Sequence, residues 1–287
     1  MTHETRDAVF MVGCHRSGTT LLRYLLDAHP VLACPPESKF ISGLHAFLEY
    51  PQAISGMHSL GLTQSHIFGL LRQMVQDVFA FYAKTQSKPR WIDKTPNYAR
   101  ILPFIDNLFN QNALYLIVVR HPFDCILSLQ TKFHETRYGD PDLDFSVKHY
   151  GNDLCGWAKY WREMNERLHV WRKANWERCY VIRYEDLVSN PEKRLAEVLD
   201  FLAVDRVPGD TSQMCREAFA GNHAHGYGDG KIRSTHTVHD HSVRKWKNWT
   251  PEQIQAYWTI VGRVAEEFGY NATEAAAQQE SSNLRIV

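Results

Sequence analysis

Neither sign of charge prevails in this chain. Across 287 residues, 32 Lys and Arg balance 32 Asp and Glu, with 15 His besides. A general nucleic-acid binder carries a basic excess, so that class is excluded and any bound anion must be held by a local site. Cysteine is sparse and scattered: Cys14, Cys34, Cys125, Cys155, Cys179 and Cys215 include no CxxC pair. This favours reduced thiols in a cytoplasmic protein over a disulfide framework. Long apolar runs are missing as well. The longest, Ala113 to Val119, is far too short to span a bilayer, so no membrane span is expected. The opening, Met1 to Asp7, is polar and mixed in charge and does not read as a secretory signal. No internal repeat stands out, and residues 271–287 form a polar tail expected to fray.

What is present is ordinary globular composition, 44% hydrophobic and 22% charged. A chain of this length buries most of its apolar surface and needs neither disulfide nor metal to fold. Four short apolar runs read as buried strands: Ala8–Val12, Trp91–Asp93, Tyr115–Val119 and Tyr180–Arg183. Each is followed by a polar turn and a helical pattern, the alternation of βα units on a parallel sheet. The expected fold is therefore α/β, a P-loop-like three-layer sandwich with a central parallel sheet and helices on both faces. It is read as a single domain over 1–287, with a helical insertion at about 42–82 and a flexible basic flap at about 222–249. Within the insertion, Ile67, Leu70, Leu71, Met74, Val75, Val78 and Tyr82 share one helical stripe. Asn190 before Pro191 reads as an N-cap, and Thr250–Gln253 as a capping box.

The most informative segment is Gly13-Cys14-His15-Arg16-Ser17-Gly18-Thr19-Thr20-Leu21-Leu22, between a strand and an amphipathic helix. A tight turn at a helix N-terminus presents free N–H groups and the positive dipole end, which suits a phosphate. Gly13 and Gly18 keep the P-loop frame, but Thr19 stands where that motif has its lysine. The missing lysine argues against ATP or GTP hydrolysis, while Arg16 and the Thr19 and Thr20 hydroxyls can still clamp an anion. A second constellation follows the strand Tyr115–Val119: Arg120-His121-Pro122, then a helix carrying Ser128. Arg120 at a strand's carboxyl end lies where open α/β sheets bind ligands. Two phosphate sites suggest a nucleotide phosphorylated at two positions.

These segments, with Arg183-Tyr184-Glu185-Asp186-Leu187, resemble the signatures of sulfotransferases that use 3′-phosphoadenosine 5′-phosphosulfate (PAPS). The resemblance covers about residues 8 to 268. It implies that Arg16, Ser17, Gly18, Thr19 and Thr20 hold the 5′-phosphosulfate, Arg120 and Ser128 the 3′-phosphate, with Tyr184 against the nucleotide. PAPS is the expected cosubstrate, with no metal. In the tyrosylprotein branch a glutamate at the offset of Glu37 serves as base. Polyketide-associated sulfotransferases resemble this chain at the same segment, at Trp91–Ala99 and at Gly228-Asp229-Gly230-Lys231-Ile232; their base is a histidine from the later chain, here His223 or His225. Lys94, directly after a strand, is the candidate for stabilising the bridging oxygen. In the His- and Lys-rich segment from Asn222 to Trp249, Ser234, Arg244 and Lys245 are the candidates for contacting the 3′-phosphate. Its histidine spacing matches no closed zinc site.

The expected function is sulfuryl transfer from PAPS to a hydroxyl acceptor. A small natural product, a carrier-bound acyl chain, a sugar and a peptide tyrosine all remain open. Two other readings stand beside it: a P-loop kinase-like phosphotransferase, and a non-catalytic nucleotide-binding protein.

Overall fold

The computed structural model describes residues 8–135, 141–206, 209–220 and 236–271. His223, His225, Ser234 and the 228–232 stretch lie outside them. In chain order the elements are β1 (Val9–Gly13), α1 (Thr19–Asp27), β2 (Leu32–Ala33), α2 (Phe40–Leu48), α3 (Pro51–Ser59), α4 (Gln64–Thr85), β3 (Arg90–Lys94), α5 (Leu102–Leu108), β4 (Leu114–Val119), α6 (Pro122–Glu135), α7 (Pro141–Tyr150), α8 (Leu154–Ala174), β5 (Cys179–Arg183), α9 (Tyr184–Ser189), α10 (Pro191–Phe201), α11 (Asp210–Glu217) and α12 (Pro251–Glu266). The strands form one sheet in the order β2-β3-β1-β4-β5, with every pair parallel. The four expected strands are all present. The fifth, β2, has only two residues and lies at an edge, too short to leave a periodic signal.

Why β1 and β4 read as unbroken apolar runs is plain from their surroundings: both faces are covered. Phe10, Val12, Tyr115, Ile117 and Val119 pack into one core with α4, α6, α8 and α12. Val9, Met11, Leu114, Leu116 and Val118 pack into the other with α1, α10 and α11. This is the three-layer sandwich expected from the sequence. Because the strand order reverses between β1 and β4, their carboxyl ends flank a crevice, the place where such sheets take ligands.

Two local expectations change. On α4 the buried ridge is Ile67, Leu71, Val75, Phe79 and Ala83, whereas Leu70, Met74 and Val78 stand roughly half exposed. The apolar stripe is wider than the line of contact that a helix makes across a sheet edge. Asn190 occupies the N-cap position of α10, but its side chain accepts no cap hydrogen bond. The Thr250–Gln253 capping box is complete on both sides.

Phe10 sits at the centre of the larger core, its ring 5.8 Å from Trp91, 6.4 Å from Tyr98, 5.3 Å from Phe109 and 6.1 Å from Tyr115. Phe10→Ala removes a large ring from a site four other rings enclose. It should lower stability by about 3–5 kcal/mol, read as a reduced midpoint in urea unfolding.

Candidate functional site

Past Gly13 the chain folds back over the end of its own strand before α1 begins. A Cβ at Gly13 would lie 2.6 Å from the Val118 carbonyl oxygen and 2.7 Å from Ser17 Oγ, so only glycine lets the loop come this close to β4. Gly18 has φ +98°, and a Cβ there would strike the Tyr184 ring at 2.3 Å. Arg16 also takes a left-handed φ, 68°, a local strain of order 1 kcal/mol or more that a tightly determined turn must hold. The loop leaves the first N–H groups of α1 without intrahelical partners. Among the described residues, Ser17 Oγ is buried with no hydrogen-bond partner.

Arg16 Nε donates to Ser128 Oγ across 2.9 Å. Arg120 Nη1 donates to the Arg16 carbonyl oxygen at 2.9 Å, and Nη2 to that of Ser242. The Arg120 guanidinium lies 4.7 Å over the Tyr184 ring. The two constellations that the sequence separates into loop and second strand end are thus joined. Arg16, Ser128, Arg120, Gly18 and Tyr184 form one assembly at the β1–β4 crevice. A cradle that a Cβ would fill and two arginines, with a buried hydroxyl and Arg120 Nε both without a partner among the described residues, are a donor set fit for a polyanionic nucleotide.

Carboxylates behind this surface orient it. Asp124, in the first turn of α6, accepts the backbone N–H groups of Arg244 and Lys245, each at 2.8 Å. Glu185 accepts His121 N–H and Tyr270 O–H, also each at 2.8 Å. Trp246 stacks on His121, with centroids 4.9 Å apart. Arg244 and Lys245 are therefore tied by their main chain to the helix that follows Arg120. Neither Asp124 nor Glu185 was singled out from sequence. The available signals were an acid in the turn after Arg120-His121-Pro122 and the glutamate of Tyr-Glu-Asp-Leu.

On the other side of β1, the register pairs Met11 with Lys94, and Thr95 N–H donates to the Met11 carbonyl oxygen at 3.2 Å. Lys94 is 0% exposed, and its ammonium donates to Glu37 Oε1 at 2.7 Å. Burial pushes the Lys94 pKa down, and the Glu37 charge and hydrogen bond oppose that shift. Two contacts from α1 hold the segment bearing Glu37: Arg23 Nε donates to the Cys34 carbonyl oxygen at 2.8 Å, and Asp27 Oδ1 accepts Cys34 N–H at 2.9 Å. His15, inside the loop, places Nδ1 2.6 Å from Tyr160 Oη. Sequence spacing could not join residues 145 apart. Among the described residues no group of three or more His, Cys, Asp and Glu is placed to hold a metal ion.

His121 carries a consequence for pH. Burial, then the charges of Arg183, Arg120 and Arg244, push its pKa from 6.5 down to about 3. Its folded value lies below its unfolded one, so this stability is present above pH 6.5 and is lost as pH falls toward 3. The melting temperature should drop between pH 6.5 and 4, and His121→Asn should make that drop smaller in differential scanning calorimetry.

Comparison with known proteins adds an independent observation. The profile of a family described as "Sulfotransferase family" matches residues 8–208. Nodulation protein NoeE of Sinorhizobium fredii is 27% identical over 91% of this chain and 65% of its own length. The protein-tyrosine sulfotransferase of Drosophila melanogaster is 24% identical over 92% of this chain and 51% of its own. The chain thus spans about half to two thirds of these relatives. The sulfotransferase domain of the Synechococcus PCC 7002 olefin synthase superposes with a TM-score of 0.64 at 25% identity, covering 94% of this chain and 98% of that one. With the profile spanning most of the chain, and the lysine-free loop, Arg120 and Ser128 assembled at one crevice, the protein belongs to the sulfotransferase family.

Proposed function

We propose that this chain moves the sulfuryl group of PAPS to a hydroxyl acceptor. The observation that carries the reading is a phosphate loop without its lysine, whose Arg16 meets Ser128 and Arg120, one strand away from a buried Lys94–Glu37 pair. Arg16, Ser17, Gly18, Thr19 and Thr20 would hold the 5′ end of the nucleotide. Arg120 and Ser128 would hold the 3′-phosphate, with Arg244, Lys245 and Ser234 completing it and Tyr184 against the nucleotide. PAPS, when bound, supplies the sulfuryl group and a leaving bisphosphate.

The chain's own residues divide the remaining work. Glu37 takes the proton of the acceptor hydroxyl, and Lys94 meets the charge that develops on the departing oxygen. Arg16 and the loop N–H groups fix the phosphosulfate so that acceptor and leaving group stand in line. His223 and His225 are the alternative bases. A peptide tyrosine follows the name of one relative, and a carrier-bound acyl chain is a second candidate acceptor. A small natural product or a sugar fits the same chemistry. A cytoplasmic setting belongs to this reading, since six scattered cysteines without CxxC pairs suit a reducing compartment.

Calorimetric titration should show binding of adenosine 3′,5′-bisphosphate and none of ATP. Binding of ATP alone would sink the proposal in favour of a phosphotransferase. Arg120→Ala should weaken bisphosphate binding by about tenfold or more, the worth of one charge-assisted hydrogen bond. Glu37→Gln should leave that affinity intact while turnover with labelled PAPS falls by about 10²–10⁴, the usual contribution of a general base. Near-normal turnover in Glu37→Gln, with failure of His223→Ala or His225→Ala, would move the base to the histidines.

A further inference from the structure

Two short stretches of chain, far apart in sequence, grip each other beside the crevice. Residues 120–124 follow β4 and open α6, and residues 242–246 precede α12. Arg120 Nη2 donates to the Ser242 carbonyl oxygen. Asp124 Oδ2 accepts the Arg244 N–H and Oδ1 the Lys245 N–H, each at 2.8 Å. The His121 ring stacks on Trp246 at 4.9 Å, and Phe123 meets the same indole edge-on at 5.4 Å. Every residue of the first stretch except Pro122 thus holds the second.

The backbone of the second stretch is shaped for this grip. Arg244 is left-handed, with φ 61° and ψ 37°, and a short 3₁₀ turn, Lys245–Asn248, follows it. Such a succession aims two consecutive N–H groups at one point and makes a nest for an anion. Nests of this kind serve elsewhere to bind phosphate. Here the anion is the carboxylate of Asp124, 0% exposed. A non-glycine residue at positive φ persists only where its surroundings over-determine it, and two bonds to a charged acceptor do so.

Filling the nest from within has a consequence for the nucleotide. Both N–H groups are taken, so residues 244 and 245 can offer a phosphate only their side chains, and both residues are exposed. Where those cations stand then depends on the clasp. Arg120, which reaches Ser242, also donates to the Arg16 carbonyl oxygen at 2.9 Å. The clasp and the phosphate loop are therefore joined through one guanidinium.

We propose that Asp124 is a positioning residue for nucleotide binding: by filling the nest it seats residues 242–246 against Arg120, and so sets what the 3′-phosphate adds to affinity. The proposal rests on the sulfotransferase reading. Asp124→Asn keeps the shape of the side chain but turns an amide donor toward one of the two N–H groups, which breaks half of the clasp.

Competition against a fluorescently labelled bisphosphate gives the affinities of adenosine 3′,5′-bisphosphate and of adenosine 5′-monophosphate. Their ratio isolates the 3′-phosphate. Asp124→Asn should lower that ratio about tenfold, the scale of one hydrogen bond to a charged group, while the monophosphate binds as it does to the wild type. A general loss of structure would weaken both ligands alike, so an unchanged ratio would overturn the proposal. A second measurement needs only the wild type. Without nucleotide, the Arg244 and Lys245 amides should already be protected in NMR-detected hydrogen exchange. Fast exchange at both would show the nest unfilled and would also overturn the proposal. Both results presuppose a wild type that prefers the bisphosphate to the monophosphate; absence of that preference would overturn the sulfotransferase reading and this inference with it.

Discussion

The site depends on how closely the loop after β1 can lie against its neighbours. Gly13 rests on the Val118 carbonyl and Gly18 on the Tyr184 ring, contacts in which a single added carbon would lie under 3 Å from another atom. Those two approaches set the distance between β1, the end of β4 and the start of α9. Arg120, at that end of β4, can reach the Arg16 carbonyl only because the loop is this flat. Arg16 in turn reaches α6 at Ser128. Side chains from three separate strand-to-helix turns are brought to one crevice by a backbone constraint, and hydrogen bonds then secure them.

Electrostatics follows from that geometry. A chain with no net charge concentrates Arg16, Arg120, Arg244 and Lys245 near one strand end and must keep them from dispersing. It does so with carboxylates in the layer behind. Asp124 grips the main chain of Arg244 and Lys245, and Glu185 links β4 to Tyr270. The arginines also help keep His121 neutral, so the cluster does not gain a further cation in its interior. Balanced composition thus conceals a sorted arrangement, with Arg16 and Arg120 at the crevice and carboxylates holding the backbone of Arg244 and Lys245 beside them.

Much of this was legible in the sequence, because the features that carry it are local. A strand buried on both faces is a continuous apolar run, and a phosphate loop is ten consecutive residues, so β1, β3, β4, β5 and Gly13–Leu22 could all be read directly. The Lys94–Glu37 bond could not, because it joins residues 57 apart. Both were separate candidates, yet their pairing follows from β3 lying beside β1 and from the Arg23 and Asp27 contacts to Cys34. Asp124 and Glu185 escaped for a related reason: each acts through backbone N–H groups or a distant tyrosine, and such partners leave no pattern in side-chain spacing. The α4 stripe errs in the other direction, since periodicity reports which residues could face a core and not how much of that face a sheet edge covers.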